Sequence, residues 1–221
     1  MGVEGGGVKA GLKNFLAGGI YAILSEEHSA GRSNIEVAGL LLQAGARVVQ
    51  YREKEKKARA MLEECRTLRD MTGRAGATFL INDHVDLALL CHADGVHVGQ
   101  EDLPVTAVRE LLGPDKIIGL STHGPDQAQA ARASGVVDYI GVGPIFSTTT
   151  KKDVCAPVGL EYLDYVVKNI DLPFVAIGGI KEHNLARVCE RGARMVCMVT
   201  EIVGAGDILA KTQTLLHVMG C

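Results

Sequence analysis

Tryptophan is absent from the 221-residue chain, and aromatic residues make up only 4% of it. A protein that stacks nucleic-acid bases needs aromatic side chains, so single-stranded nucleic-acid binding is excluded as a main activity. A basic excess is also lacking, because 23 Lys and Arg stand against 26 Asp and Glu, for a formal net charge of −3. This balance argues against a general binder of nucleic acid or other polyanions.

Long apolar runs and paired cysteines are missing as well. No stretch reaches the length of a membrane span, and the N-terminus lacks the apolar core of a signal peptide. The six cysteines include no C-x-x-C pair, so we interpret them as reduced thiols in a cytoplasmic protein. With 47% hydrophobic residues, the chain is expected to fold as a soluble globular protein with neither a nucleic-acid nor a membrane partner.

Eight short apolar runs alternate along the chain with longer segments of helical spacing. Their composition is typical of parallel strands that are buried on both faces. Eight strand–helix units predict an α/β fold, a single (β/α)₈ TIM barrel over residues 13–221 that follows a flexible Gly-rich segment at residues 1–12. A doubly wound open sheet is less favoured, because no G-x-G-x-x-G loop follows the first strand. The predicted strands are Ile20–Leu24, Arg47–Gln50, Ala77–Ile81, Gly95–Val98, Lys116–Leu120, Val137–Val142, Phe174–Ile177 and Met195–Val199.

Polar residues cluster directly after the carboxyl ends of these predicted strands. Arg52 and Lys54 follow the second strand, Asp83 the third, Asp102 the fourth and Lys151 the sixth. The carboxyl ends of all strands of a barrel meet at one rim, where the active sites of such barrels lie. We therefore expect these distant residues to share one pocket.

The residue types in this set favour phosphate chemistry. Cations, hydroxyls and glycine amides suit phosphate oxygens, and the pair Asp83 and Asp102 suits Mg²⁺ that also binds substrate phosphates. Gly178-Gly179 and Thr200 follow the last two strands, the usual phosphate pocket of such barrels. The aspartates would also fit helix N-caps and the glycines a tight turn. His97, within the fourth strand, is interpreted as a packed core histidine.

Six stretches of the sequence together resemble the thiamine-phosphate synthase family. That family has a (β/α)₈ barrel fold and joins 4-amino-2-methyl-5-hydroxymethylpyrimidine diphosphate to a thiazole phosphate, giving thiamine phosphate and pyrophosphate. The resemblance implies a transferase of thiamine biosynthesis with small-molecule substrates and Mg²⁺ as its cofactor. The stretches are QYREK (50–54), INDHVDLAL (81–89), ADGVHVGQEDLP (93–104), GLSTH (119–123), DYIGVGPIFSTTTK (138–151) and AIGGI (176–180).

The resemblance also assigns site residues by position. Arg52, Lys54 and Lys151 would be catalytic, and Asp83 and Asp102 would bind Mg²⁺. Glu201 stands where this family usually has a small residue, and it adjoins the predicted phosphate pocket. The substrate-binding set that the resemblance implies is Gln50, Tyr51, Arg52, Glu53, Lys54, Asn82, Ser121 and Lys151 for the pyrimidine diphosphate, and Thr148, Thr149, Thr150, Gly179, Val199 and Thr200 for the thiazole phosphate side.

Two other functions fit the same fold. A thiazole tautomerase would need an acid/base residue, for which His123 is the candidate, and would need neither the cations nor Mg²⁺. A non-catalytic barrel that binds a phosphorylated ligand would need only the phosphate pocket. A homodimer is expected only because (β/α)₈ barrels commonly form oligomers.

Overall fold

The computed structural model describes residue 9, residues 11–150 and residues 155–220. Eight parallel strands pair in sequence order, and the last returns to pair with the first, so the sheet is a closed barrel. Helices alternate with the strands, which confirms the predicted (β/α)₈ barrel. The strands are β1 (Gly19–Leu24), β2 (Val48–Tyr51), β3 (Thr78–Asn82), β4 (Gly95–Val98), β5 (Ile117–Thr122), β6 (Tyr139–Val142), β7 (Phe174–Ile177) and β8 (Met195–Cys197). The helices are α1 (Leu12–Ala17), α2 (Asn34–Gln43), α3 (Ala58–Arg74), α4 (Val85–Leu90), α5 (Val105–Leu112), α6 (Pro125–Ser134), α7 (Gly159–Asn169), α8 (Glu182–Glu190), α9 (Thr200–Val203) and α10 (Ile208–Val218), with a short 3₁₀ helix at Glu26–His28.

The strands divide the apolar core into two layers, because successive side chains of a strand point to opposite faces. One layer fills the barrel and includes Tyr21, Val48, Leu80, Tyr139 and Met195. The other layer lies between the strands and the surrounding helices. Because both faces are buried, every residue of β1 and β2 is inaccessible or nearly so, as the sequence predicted.

Helix α1 closes the amino end of the barrel. The Phe15 ring packs 4.3 Å from the ring of Tyr139, centroid to centroid. The Lys9 ammonium pairs with Asp138, just before β6, at 2.8 Å. Of the segment 1–12 that the sequence predicts to be flexible, the structure describes only Lys9, Gly11 and Leu12, and Leu12 begins α1. With this end plugged, the carboxyl rim is the open end of the barrel.

The remaining predictions about composition concern cysteines and membranes. The five cysteines in the described part of the chain are all free thiols. None of the helices within the described ranges is long and apolar enough to cross a bilayer.

Candidate active site

Two carboxylates and two cations lie near one another where β2, β3 and β4 reach the carboxyl rim. Burial and the adjacent Asp102 carboxyl group raise the pKa of Asp83 to about 6, whereas the charges of Lys54 and Arg52 act to lower it. Among the neighbouring side chains, that of Asp102 acts most strongly on the Asp83 carboxyl. The structure thus brings together four residues that lie up to 50 positions apart in the sequence.

The local backbone holds both aspartates away from helix capping. Asp83 lies in the left-handed region with φ +60°, and the residue before α4 is His84. Asp102 Oδ2 accepts a hydrogen bond of 2.6 Å from the Gly99 amide, and Pro104 precedes α5. A left-handed conformation is uncommon for a residue other than glycine, and such strain concentrates at functional sites. The helix-cap interpretation of these aspartates is therefore wrong.

The donor set at this point fits Mg²⁺ that is shared with substrate phosphates. The described residues contain no group of three or more His, Cys, Asp or Glu side chains that could by itself hold a metal ion. Mg²⁺ takes oxygen ligands and commonly binds through one or two carboxylates, with phosphate and water completing its shell. Asp83 and Asp102 supply this pair, and a divalent cation between them would relieve the repulsion that raises the pKa of Asp83.

Side chains along β2 and the loop after it alternate between the site and the helices. The Tyr51 hydroxyl donates to Glu64 on α3 at 2.6 Å, so its side chain faces the helix layer. The Glu53 carboxylate accepts hydrogen bonds of 2.7 Å from the Glu26 amide and from Asn34 Nδ2. The side chains of Tyr51 and Glu53 thus brace the segment that carries Arg52 and Lys54, while Gln50 points into the barrel.

A chain of hydrogen bonds crosses the barrel interior below the rim. Gln50 Nε2 donates to the Tyr21 hydroxyl at 2.7 Å, and Tyr21 lies 2.9 Å from the Tyr139 hydroxyl. The Tyr139 hydroxyl lies 2.8 Å from His97 Nδ1, and His97 Nε2 lies 2.9 Å from Ser121 Oγ. Two predicted substrate contacts, Gln50 and Ser121, are therefore connected across the barrel.

Two members of this chain have a settled protonation state. Burial raises the pKa of both the Tyr21 and the Tyr139 phenols, so both stay protonated and each can donate one hydrogen bond. The Tyr139 hydroxyl lies between that of Tyr21 and His97 Nδ1. His97 is half-buried rather than packed fully in the core, and its Nε2 contacts Ser121 Oγ from inside the barrel.

A second group of predicted residues gathers around the turn after β7. Gly178 and Gly179 have φ of +97° and +62°, and a Cβ on Gly179 would lie 2.4 Å from the Ser147 carbonyl oxygen. Thr148 Oγ1 accepts a hydrogen bond of 3.3 Å from the Thr150 backbone amide. It also donates to Thr150 Oγ1 at 3.1 Å. The glycine turn thus packs directly against the loop that carries the threonines.

The neighbouring β8 loop completes this second group. The Thr150 carbonyl oxygen lies 3.2 Å from His28 Nε2. Gly204 packs closely between two backbone carbonyls, since a Cβ on it would lie 3.2 Å from the His28 oxygen and 2.9 Å from the Thr200 oxygen. His28 therefore connects the threonine loop to the segment that begins at Thr200. The predicted phosphate pocket is formed by loops from three parts of the chain.

The other predicted residues have simple placements. Asn82 is half-buried at the end of β3 and pairs in register with His97. Thr149 is exposed, and Val199 is half-buried directly before α9. Lys151 lies outside the described residues. His123 lies after β5, where its Nδ1 donates to the Gly143 carbonyl at 2.6 Å.

Sequence reasoning missed two groups of residues at this rim. The first is Tyr21 and Tyr139, which connect Gln50 to His97 inside the barrel. The second is Lys181, whose ammonium donates to Thr200 Oγ1 at 3.0 Å. Lys181 directly follows the stretch AIGGI, and a cation two positions beyond a glycine turn was a signal available in the sequence.

An arrangement of this kind belongs to the (β/α)₈-barrel enzymes that act on phosphorylated small molecules. The sequence model of the family described as thiamine monophosphate synthase matches residues 20–202. The chain belongs to this family.

Individual relatives agree over almost the whole chain. The thiamine-phosphate synthase of Pelotomaculum thermopropionicum is 64% identical over 207 residues, which cover 94% of each protein. That of Lawsonia intracellularis is 56% identical over 196 residues, covering 89% of this chain and 90% of its own. The solved structure of a thiamine phosphate pyrophosphorylase from Pyrococcus furiosus superposes with a TM-score of 0.85 at 33% identity, covering 95% of this chain and 98% of its own.

Proposed function

We propose that the carboxyl rim joins a pyrimidine diphosphate to a thiazole phosphate, with Asp83, Asp102, Arg52 and Lys54 binding the diphosphate. Membership of the family supports the reaction class, so the chain is a transferase whose product is thiamine phosphate. The observation that carries the assignment of residues is that the Asp83 carboxyl feels the carboxyl group of Asp102 and the charges of Arg52 and Lys54, so the four groups lie near one another at the rim. Both substrates are small molecules.

The chemical task at this rim is to let pyrophosphate leave. The amino-substituted pyrimidine ring can stabilise a cation on the carbon that loses the leaving group, so departure can precede attack. The barrier then consists mainly of charge separation, and preorganised positive charge lowers it. Arg52 and Lys54, together with Lys151, would hold the departing pyrophosphate oxygens. When bound by Asp83 and Asp102, Mg²⁺ would offset further negative charge on the same oxygens.

The thiazole side needs positioning more than acid–base chemistry. The thiazole nitrogen is already nucleophilic, so no strong general base is required. The Thr148 and Thr150 hydroxyls and the backbone of Gly179, Val199 and Thr200 would hold the phosphate of this substrate, with the exposed Thr149 at the edge. Holding the two substrates in reacting geometry can lower a barrier by about 7 kcal/mol.

One assay tests the activity. The purified protein is mixed with both substrates and Mg²⁺, and pyrophosphate release is followed with and without the thiazole phosphate. Release that depends on the thiazole phosphate and yields thiamine phosphate is expected. Isomerisation of the thiazole phosphate without pyrophosphate release would favour a tautomerase, and binding without turnover would favour a phosphate-ligand sensor.

The relatives and the rim favour the transferase over these alternatives. Both relatives described above carry the synthase name. The rim also carries two cations, Arg52 and Lys54, beside the carboxylates of Asp83 and Asp102, and a tautomerase would need neither the cations nor a metal. A cytoplasmic location and a homodimer stay predictions.

Replacing Tyr139 with phenylalanine is expected to raise the KM for the pyrimidine diphosphate about 10-fold, because His97 loses its hydrogen bond with the Tyr139 hydroxyl and positions Ser121 less well. The ring and its contact with Phe15 are kept. Steady-state kinetics with each substrate varied in turn measures the effect, and the KM for the thiazole phosphate should not change.

The matched control for this variant is Tyr162→Phe. It removes another phenol hydrogen bond, that of Tyr162 to Thr122 Oγ1 at 2.7 Å, without touching the chain inside the barrel. If the two variants change both KM values equally, the role assigned to the Tyr139 hydroxyl is wrong.

A further inference from the structure

Four charged side chains form a cluster between the loops that follow β7 and β8. The Lys181 ammonium lies 3.4 Å from one Glu201 carboxylate oxygen, and the Lys211 ammonium lies 3.4 Å from the other. Lys211 also pairs with Glu182 at 2.7 Å. In this Lys181–Glu201 cluster two ammonium groups balance two carboxylates, so Glu201 is tolerated beside a predicted phosphate pocket because lysines contact both of its oxygens.

Glu201 remains ionised in this cluster. Burial acts to raise the pKa of Glu201, but the Glu182 backbone amide and the two ammonium groups outweigh it and hold that pKa below its usual range. The Glu201 side chain is only 18% exposed, against 37% for Lys181. The carboxylate is thus a fixed anchor, while the lysine that it holds reaches toward the surface.

Lys181 is held at the predicted phosphate pocket rather than only beside it. It follows the Gly178-Gly179 turn with one buried residue, Ile180, between them. Its ammonium donates to Thr200 Oγ1 at 3.0 Å, and Thr200 is one of the residues assigned to the thiazole phosphate. A phosphate that binds to Thr200 and to the glycine turn therefore arrives next to this ammonium.

The charge of a phosphate monoester calls for such a partner. The contacts assigned so far to the second phosphate are hydroxyls and backbone amides, which carry no net charge. Arg52 and Lys54 act on Asp83, at the diphosphate end of the site. Hydrogen bonds from a charged donor to phosphate are about twice as strong as neutral ones.

We propose that Lys181 is a binding residue for the thiazole phosphate and supplies the positive charge of the second phosphate site. This assignment rests on the proposed function, because it takes the ligand of the second site to be a phosphate monoester.

The test compares Lys181→Met with Lys211→Met. The Lys181 backbone amide donates to Asn184 Oδ1 at 2.8 Å, and a methionine keeps this bond, so the start of α8 is preserved. In Lys181→Met the KM for the thiazole phosphate is expected to rise about 10-fold, with the KM for the pyrimidine diphosphate and kcat nearly unchanged. Lys211→Met, which removes an equal charge from the same cluster, should leave all three values near those of the unmodified protein.

A direct binding measurement accompanies the kinetics. Calorimetric titration of the metal-free proteins with the thiazole phosphate, and displacement by inorganic phosphate, should show about 10-fold weaker binding of both in Lys181→Met. Unchanged affinity in Lys181→Met would overturn the proposal. An equal loss in Lys211→Met would also overturn it, because the effect would then come from the charge of Glu201 and not from contact with Lys181.

The failure of the proposed function would look different. An unmodified protein that releases no pyrophosphate from the two substrates would refute the transferase activity itself. The titrations with inorganic phosphate would still decide on Lys181, since they need no turnover.

Discussion

Replacing Asp83 with asparagine is expected to slow pyrophosphate release roughly 100- to 1000-fold, because the site loses one of the two carboxylates proposed to hold Mg²⁺. The Mg²⁺ concentration for half-maximal rate should rise in the same variant. Pyrophosphate release measured over a range of Mg²⁺ concentrations gives both quantities.

The substitution suits the local backbone. Asp83 has φ +60°, and asparagine is among the few residues that adopt this region readily. The loop should therefore keep its conformation while one charge is lost. The thermal midpoint of unfolding checks that the fold is intact.

A nearby aspartate provides the matched control. Asp86 lies in the first turn of α4, three residues further along, and its side chain is 80% exposed. Asp86→Asn removes an equal charge from the same segment and should leave the rate and the Mg²⁺ requirement unchanged. An Asp83→Asn protein that works at the normal rate, or full activity of the unmodified protein in EDTA, would contradict the metal assignment.

The fold and the grouping of Arg52, Asp83 and Asp102 at one rim were predictable from the sequence for one physical reason. Parallel strands buried on both faces must be apolar until they emerge, so the first polar residues mark the carboxyl rim. Arg52 and Asp83 stand two positions, and Asp102 four positions, after the end of such a run. Because the carboxyl ends of all eight strands lie at the same rim, the fold prediction alone places these residues near one another.

The roles of neighbours within one motif were less accessible. The stretch 50–54 entered the prediction as a block, yet the alternation of a strand sends Gln50 inward and Tyr51 outward to Glu64. The two-residue period of a strand predicts that Gln50 and Tyr51 point to opposite faces. It does not by itself choose which set faces inward, since both faces of the strand are buried.

The hydrogen-bond chain inside the barrel depends on register between strands. Tyr139 reaches Tyr21 and His97 because it pairs with Gly119, where an added Cβ would lie 2.1 Å from Tyr139 Cζ. A one-residue slip would turn the Tyr139 ring to the other face. No pattern within a single strand carries this information, so Gly119 could not be identified from the sequence as the residue that makes room for the ring.

Replacing Lys151 with methionine is expected to lower kcat roughly 100-fold or more, with a smaller change in the KM for the pyrimidine diphosphate. The negative charge on the leaving pyrophosphate grows as the bond to the pyrimidine carbon breaks. An ammonium group that meets this charge stabilises the transition state more than the ground state, which is the condition for an effect on kcat. Single-turnover measurements with saturating substrates isolate this step from product release.

The adjacent lysine makes the comparison sharp. Lys152→Met removes the same charge one position further along and should leave kcat near that of the unmodified protein. Lys151→Arg retains the positive charge but replaces a compact ammonium with a planar guanidinium, so a partial recovery of kcat is expected. If Lys151→Met raised only the KM, the charge would act equally in the ground state and the transition state, and Lys151 would bind the diphosphate without assisting its departure.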